Sequence, residues 1–218
     1  MQTKGRGRHG RVWSSPPGNL HASLLLIDPA PRHKVAELGF AVGVAALLGL
    51  REILTKDQSF AIKWPNDLLH GGAKLAGILL ESAVLPDGRL ACVAGIGVNC
   101  GWHPADTPYK ATSLAAIAGW PVAPEAVFEQ LSAAMVYWLN IWAAGDGFEA
   151  IRTEWLSLAA GLGSWISVAR SPHTIEGIFQ TIDANGRLIL ESKSGAVAIE
   201  AGDVFFGPLG SQTAVARG

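Results

Sequence analysis

An α/β domain followed by a small all-β module is the fold class that this sequence predicts, and three observations carry it. The first two-thirds of the chain alternates apolar runs of strand length with longer runs of helical period. After Gly161 the helical period stops and only short alternating runs remain. Hydrophobic residues make up 49% and charged residues 16% of 218 residues, a composition that buries a core instead of staying solvated.

The elements follow in order. His21 to Ile27 (HASLLLI), bounded by Pro-Gly and Asp-Pro, predicts a buried strand. From His33 to Leu54 the pattern is helical and apolar nearly all round, so that helix is expected to be covered on more than one face. Its uncharged stretch, Leu38 to Leu50, is too short to span a bilayer, and no membrane association is expected. Phe60 to Trp64 predicts a strand stopped by Pro65, with Asn66 and Asp67 on the turn beyond it. Lys74 to Ser82 and Leu90 to Cys100 predict two long strands joined as a hairpin by Pro86-Asp87-Gly88. Thr112 or Ser113 caps a short helix through Ala118.

Between Pro124 and Gly145, apolar residues at Val127, Phe128, Leu131, Ala134, Met135, Trp138, Leu139 and Trp142 mark an amphipathic helix. Phe148 to Ala159 predicts a last helix of the same period. Beyond it, WISVA, IEGIFQTI, RLILES and AVAIE read as strands, with Asp183-Ala184-Asn185-Gly186 as a hairpin turn. A module of about 45–50 residues is marginal alone and is expected to dock on its neighbour. The division falls into 1–160 and 161–218.

The formal net charge is -1, which argues against a surface that tracks nucleic acid, so anion binding must be local. Cys92 and Cys100 fall in one extended run about 26 Å apart, beyond disulfide reach. The six histidines show no metal-ligand spacing. The opening lacks the apolar core and cleavage site of a secretory signal, so a reducing cytoplasm is expected.

Four stretches carry candidate chemistry. GRGRHGRVW, Gly5 to Trp13, combines close backbone approach at glycine with guanidinium donors for an anion, and reads equally as a flexible basic tail. In KWPNDLL, Lys63, Asn66 and Asp67 stand at a strand end, where sites form in α/β folds, although an ordinary Pro-Asn-Asp turn has the same sequence. Lys74 opens a strongly apolar strand, where an ammonium group needs an anion or must reach solvent; Gly77 in that strand fits a bulge or a ligand on the sheet. In GIGVN, Gly95 and Gly97 clear one face of a strand that ends at Asn99, for a flat ligand or for close packing. Together they suit a ligand with a flat apolar body and an anionic end.

QTKGRGRHGRVWSSPPGNLHASLLL, KWPNDLL, KLAGILLES and GIGVNC, in this order and spacing, resemble the catalytic core of biotin protein ligases. GIFQTIDANGRLILES and EAGDV are similar to that family's SH3-like C-terminal domain, so the resemblance covers nearly the whole chain. It implies a class II synthetase-like core with a mixed α+β sheet, and the monofunctional type without a DNA-binding domain. It implies formation of biotinyl-5′-adenylate from biotin and ATP with Mg2+, then transfer to a lysine of a biotin carboxyl carrier domain of a carboxylase.

By motif, the resemblance implies Lys74, Asp67 and Arg8 as catalytic. Gln2, Gly5, Arg6, Arg8, Lys74, Gly77, Gly95 and Gly97 would bind biotin. Arg6, Arg8, Trp13, Lys63, Asn66, Asp67, Lys74 and Asn99 would bind ATP, with Trp13 near the adenine. Departures from the pattern are Lys4, where a small residue is common, and Met1 directly before Gln2, where the family carries a strand and helix with a Ser-Thr-Asn motif. The catalytic domain is therefore expected to lack that first strand and helix, with a non-catalytic relative binding adenylate or carrier as one alternative. Lipoate or octanoate attachment is another. A homodimer is left open, and no operator binding is expected.

Overall fold

In a computed structural model, residues 2–54, 59–170 and 173–207 are described. The first sheet has the order β1-β5-β4-β3-β2, built from β1 (Leu20–Ile27), β2 (Phe60–Lys63), β3 (Asp67–His70), β4 (Ala73–Val84) and β5 (Leu90–Val98). Each neighbouring pair is antiparallel; the parallel contacts are isolated bridges, Ile62 with Ala159 and Lys74 with Ala111. The predicted Pro86-Asp87-Gly88 hairpin joins β4 to β5.

One face of this sheet is core. Alternation sends Ala76, Ile78, Cys92, Ala94, Ile96 and Val98 inward to the helices, all at most 5% exposed. Against that face lies α1 (Leu38–Ile53), entered through a 3-10 turn at Arg32–Glu37. Sequence alone placed both in one helix. Arg32–Ile53 is long and apolar enough to cross a membrane by length and composition, and 67% of its apolar window is buried here. That accounts for its all-round apolarity: the sheet covers it on one side, and α3 (Pro124–Trp142) and α4 (Phe148–Ser157) on others. Gly49 lets α3 approach, since a Cβ there would meet the Gln130 carbonyl at 3.0 Å.

Ser113 caps α2 (Leu114–Ala118) through its side chain, as expected. On α3, Val127, Leu131, Met135 and Trp142 are buried, while Ala134, Trp138 and Leu139 pack partly against the core. Phe128, expected on that stripe, is 51% exposed. One position beyond Val127 turns its side chain about 100° round the helix, past the edge of the stripe.

The second sheet has the order β10-β6-β7-β8-β9, with β6 (Trp165–Arg170), β7 (His173–Ile182), β8 (Leu188–Ser192), β9 (Gly195–Ile199) and β10 (Asp203–Phe206). Asp183 builds the predicted turn by accepting hydrogen bonds from the Asn185 and Arg187 amides at Oδ1. This module is joined to the first domain through aromatic packing: Trp155 of α4 contacts Phe40 of α1 and Phe179 of β7 edge-on. Arg152 adds a hydrogen bond to the Ile182 carbonyl at 2.6 Å. Cys92 and Cys100 are free and buried.

Candidate active site

The sheet face away from the helices forms the floor of a cleft of about 1510 Å³, and β10 of the second domain closes one side of it. Strand register sets a transverse row across this floor. His21 on β1 stands opposite Gly97 on β5, Gly97 opposite Gly77 on β4, Gly77 opposite Asp67 on β3, and Asp67 opposite Lys63 on β2. Paired residues share a face, so all five look into the cleft. Asp67 was expected on a turn; it opens β3 instead, because the chain reverses within Trp64–Asn66 and pairs at once with Lys63.

Lys74 reaches the same place through an irregularity. Leu68 pairs with Ala76 but Leu69 pairs with Lys74, so Leu75 is an extra residue on β4. Strict alternation would send Lys74 to the core face with Ala76. The bulge lets Leu75 and Ala76 both bury and turns Lys74 into the cleft, where its chain crosses Gly77. Its Nζ lies 2.5 Å from Asp67 Oδ1, with the two side chains 18% and 21% exposed. The same ammonium sits 5.5 Å from the Trp13 ring centroid and 5.3 Å from that of Tyr109.

The basic opening is a folded hairpin and not a tail. Arg6 bridges to Val12, the Trp13 amide donates to the Gly5 carbonyl at 3.0 Å, and the Gly7 amide to the Arg11 carbonyl at 2.7 Å. His9 and Gly10 supply the positive φ angles at its tip. Charge pins it across the cleft: Arg6 pairs with Glu81 of β4 at 2.9 Å, Arg8 with Asp203 of β10 at 3.8 Å, and Arg11 with the same Asp203. Arg8 also donates to the Gly202 carbonyl at 3.1 Å. Burial lowers the Arg8 pKa, with Asp203 and Asp67 opposing the shift.

Lys63 lies over the rings of Phe205 and Phe206, at 5.8 and 5.9 Å to their centroids. Burial pulls its pKa below the usual lysine range, against the opposing pull of Asp67. An anion arriving here would find three cations, Lys63, Lys74 and Arg8, with little water to screen them.

Other expected residues are placed differently. Asn66 lines the cleft, but its Nδ2 is committed to the Ile78 carbonyl at 2.5 Å. Gln2 lines the cleft and accepts from Ser15 Oγ at 3.1 Å. Gly5 is required by close approach, since a Cβ would lie 2.5 Å from the Trp13 carbonyl. Asn99 is buried outside the lining and donates to the Thr112 carbonyl at 3.0 Å. The bare patch at Gly77 and Gly97 is covered by Trp13: a Cβ would fall 3.1 Å from its ring at Gly77 and 2.6 Å at Gly97.

Sequence reasoning missed Asp203, Glu81, Tyr109, Phe205, Phe206 and His21, all of which line the cleft. Only EAGDV carried any signal for the first, as part of a family motif. It also missed Asn19, whose Oδ1 accepts from the Cys100, Gly101 and Trp102 amides and whose Nδ2 donates to the Trp102 carbonyl. Among the described residues no group of three His, Cys, Asp or Glu is placed to hold a metal ion.

Residues 1–99 match the Biotin/lipoate A/B protein ligase family and residues 162–207 the Biotin protein ligase C terminal domain. The chain is 38% identical to the biotin–[acetyl-CoA-carboxylase] ligase of Paracoccus denitrificans, with 94% of this chain and 88% of that protein covered. The chain belongs to the biotin protein ligase family. A second relative, the bifunctional ligase/repressor BirA of Bacillus subtilis, is 33% identical, and the chain spans 64% of its length. Among solved structures, the biotin protein ligase of Aquifex aeolicus in complex with biotin and ATP superposes with a TM-score of 0.80 at 26% identity, covering 94% of this chain and 85% of that one. The two family matches fall on the two sheets: the cleft floor in residues 1–99, and β10 with Asp203 in the C-terminal domain.

Proposed function

We propose that this biotin protein ligase forms biotinyl-5′-AMP from biotin and ATP and transfers the biotin to a lysine of a biotin carboxyl carrier domain. One observation carries the reading: Lys74, paired with Asp67 at the end of two glycines, stands beneath an arginine hairpin. In the first step a carboxylate attacks the α-phosphorus, a C–O–P bond forms and pyrophosphate leaves. Both reactants are anions, so their repulsion has to be cancelled before they meet. In this reading Lys74 touches the carboxylate and a phosphoryl oxygen together, and its charge acts most strongly as negative charge spreads in the transition state. Arg8 and Lys63 add cations to the same pole.

The mixed anhydride that results hydrolyses if water reaches it. The hairpin from Gly5 to Trp13, pinned at both Glu81 and Asp203, is suited to exclude water and hold the phosphate. When an anion draws off Lys74, Asp67 is freed to orient the incoming lysine amine or accept its proton. ATP brings the magnesium ion of this reading. Such an ion keeps mostly phosphate and water ligands, which fits a cleft whose carboxylates are otherwise paired with cations, and Asp67 is the carboxylate near the lysines that would add a ligand. Bound there, it would neutralise phosphate charge.

The same reading places the domain boundary near residue 160 and the protein in the cytoplasm. Purified protein with biotin and Mg-ATP is expected to release pyrophosphate and to biotinylate an added carrier domain, seen by streptavidin blot and mass shift. Absence of both products would sink the reading, and octanoyl transfer in place of biotinyl transfer would redirect it.

A further inference from the structure

His21 has no part in the reaction above, yet it ends the transverse row opposite the lysines. Its Nε2 is buried without a hydrogen-bond partner among the described residues, and so is Nε1 of Trp13. Buried polar atoms are nearly always paired, so each of these two nitrogens calls for a partner. Both side chains neighbour Gly97. A Cβ on Gly97 would lie 2.6 Å from Trp13 Nε1, and His21 is the cross-strand partner of Gly97 on the same face. Burial lowers the His21 pKa, which favours the neutral ring.

The row is therefore polarised. Neutral hydrogen-bonding nitrogens stand at the β1 end, two glycines in the middle, and Asp67, Lys74 and Lys63 at the other end. From β1 to β3 is three strand spacings, about 14 Å, the length of a flat ring system with a short acyl chain, which would take the place that the Trp13 ring holds over Gly97 and Gly77. A substrate with its carboxylate at Lys74 then presents its far end to His21. We propose that His21 is a specificity-determining residue, hydrogen-bonding through Nε2 to the ureido head of biotin, with Trp13 Nε1 as second partner. A cyclic urea has both a carbonyl acceptor and N–H donors, so either neutral tautomer of His21 finds a match. The proposal rests on the biotin-ligase reading above.

The test compares His21→Phe, which keeps a flat ring without its nitrogens, with His21→Gln in the full chain. Calorimetric titration is expected to give about tenfold weaker biotin binding for His21→Phe, with ATP binding unchanged, and His21→Gln within about threefold of wild type. The melting temperature of ligand-free His21→Phe is expected to hold or rise, since a buried unpartnered nitrogen has been removed. Undiminished biotin affinity in His21→Phe, or equal losses for biotin and ATP, overturns the proposal. Should His21→Phe fail to fold, 15N imidazole spectra of the wild type decide: an Nε2 resonance that moves on biotin saturation supports the proposal and one that stays overturns it. Wild-type protein that binds no biotin would overturn the ligase reading instead.

Discussion

In the proposed reaction, Lys74 is the residue on which most depends. Its charge is enclosed by two aromatic rings and balanced by one carboxylate, so replacing it leaves Asp67 without its partner and, in the proposed reaction, the reacting carboxylate without its cation. Lys74→Ala is expected to slow adenylate formation by at least about a hundredfold in a pyrophosphate-release assay while circular dichroism stays native. Near-normal turnover would remove Lys74 from the mechanism. Cys100 makes a separate prediction about pH. Burial pushes its thiol up to about 11, against an ordinary value of 9.0. Between those values the folded state retains the proton that the unfolded state has lost, so the slope of stability with pH is negative there. Stability present below pH 9 is therefore expected to fall as pH rises toward 11, and Cys100→Ala to flatten that fall in urea titrations. Alkylation of the native protein near pH 8 should be correspondingly slow.

At the scale of elements, the site depends on how strand ends are held. Asn19, just before β1, satisfies three amides in the chain leaving β5 with a single oxygen. Asn19→Ala would strand those amides, and about 2–3 kcal/mol of stability is expected to be lost in chemical denaturation. A loss below about 0.5 kcal/mol would mean that water replaces the side chain. The elements also separate what was legible in the sequence from what was not. α1, α3, β4 and β5 were readable because period and turn residues are local properties. The 3-10 entry to α1 was not, since both helix types show the same apolar spacing over so short a piece. β3 was hidden because DLLH is only four residues long and follows directly on a turn. The outward face of Phe128 was hidden because an apolar residue at the edge of a stripe has no local mark of which neighbour is missing.

Across the whole molecule, residues of both sheets line one cleft. The basic hairpin pairs with Glu81 from the first domain and with Asp203 from the second, so it touches both. The docking of the two domains rests on Trp155, buried between Phe40 and Phe179. Trp155→Ala is expected to cost about 3–5 kcal/mol and to weaken adenylate formation without touching the cleft. A small loss of stability with full activity would show that other contacts hold the domains together.

By itself the sequence determined the two-part architecture, the hairpins, and four stretches that would carry chemistry, because periodicity, turn residues and motif glycines are written locally along the chain. Only the tertiary structure decided that GRGRHGRVW is a pinned hairpin and that Asp203 holds it. The Leu75 bulge turned Lys74 into the cleft, and strand register aligned His21 with Gly97, Gly77, Asp67 and Lys63. Those facts depend on pairing between residues far apart in the chain. A one-residue shift in register would move each side chain to the other face of the sheet, and no local pattern specifies that choice.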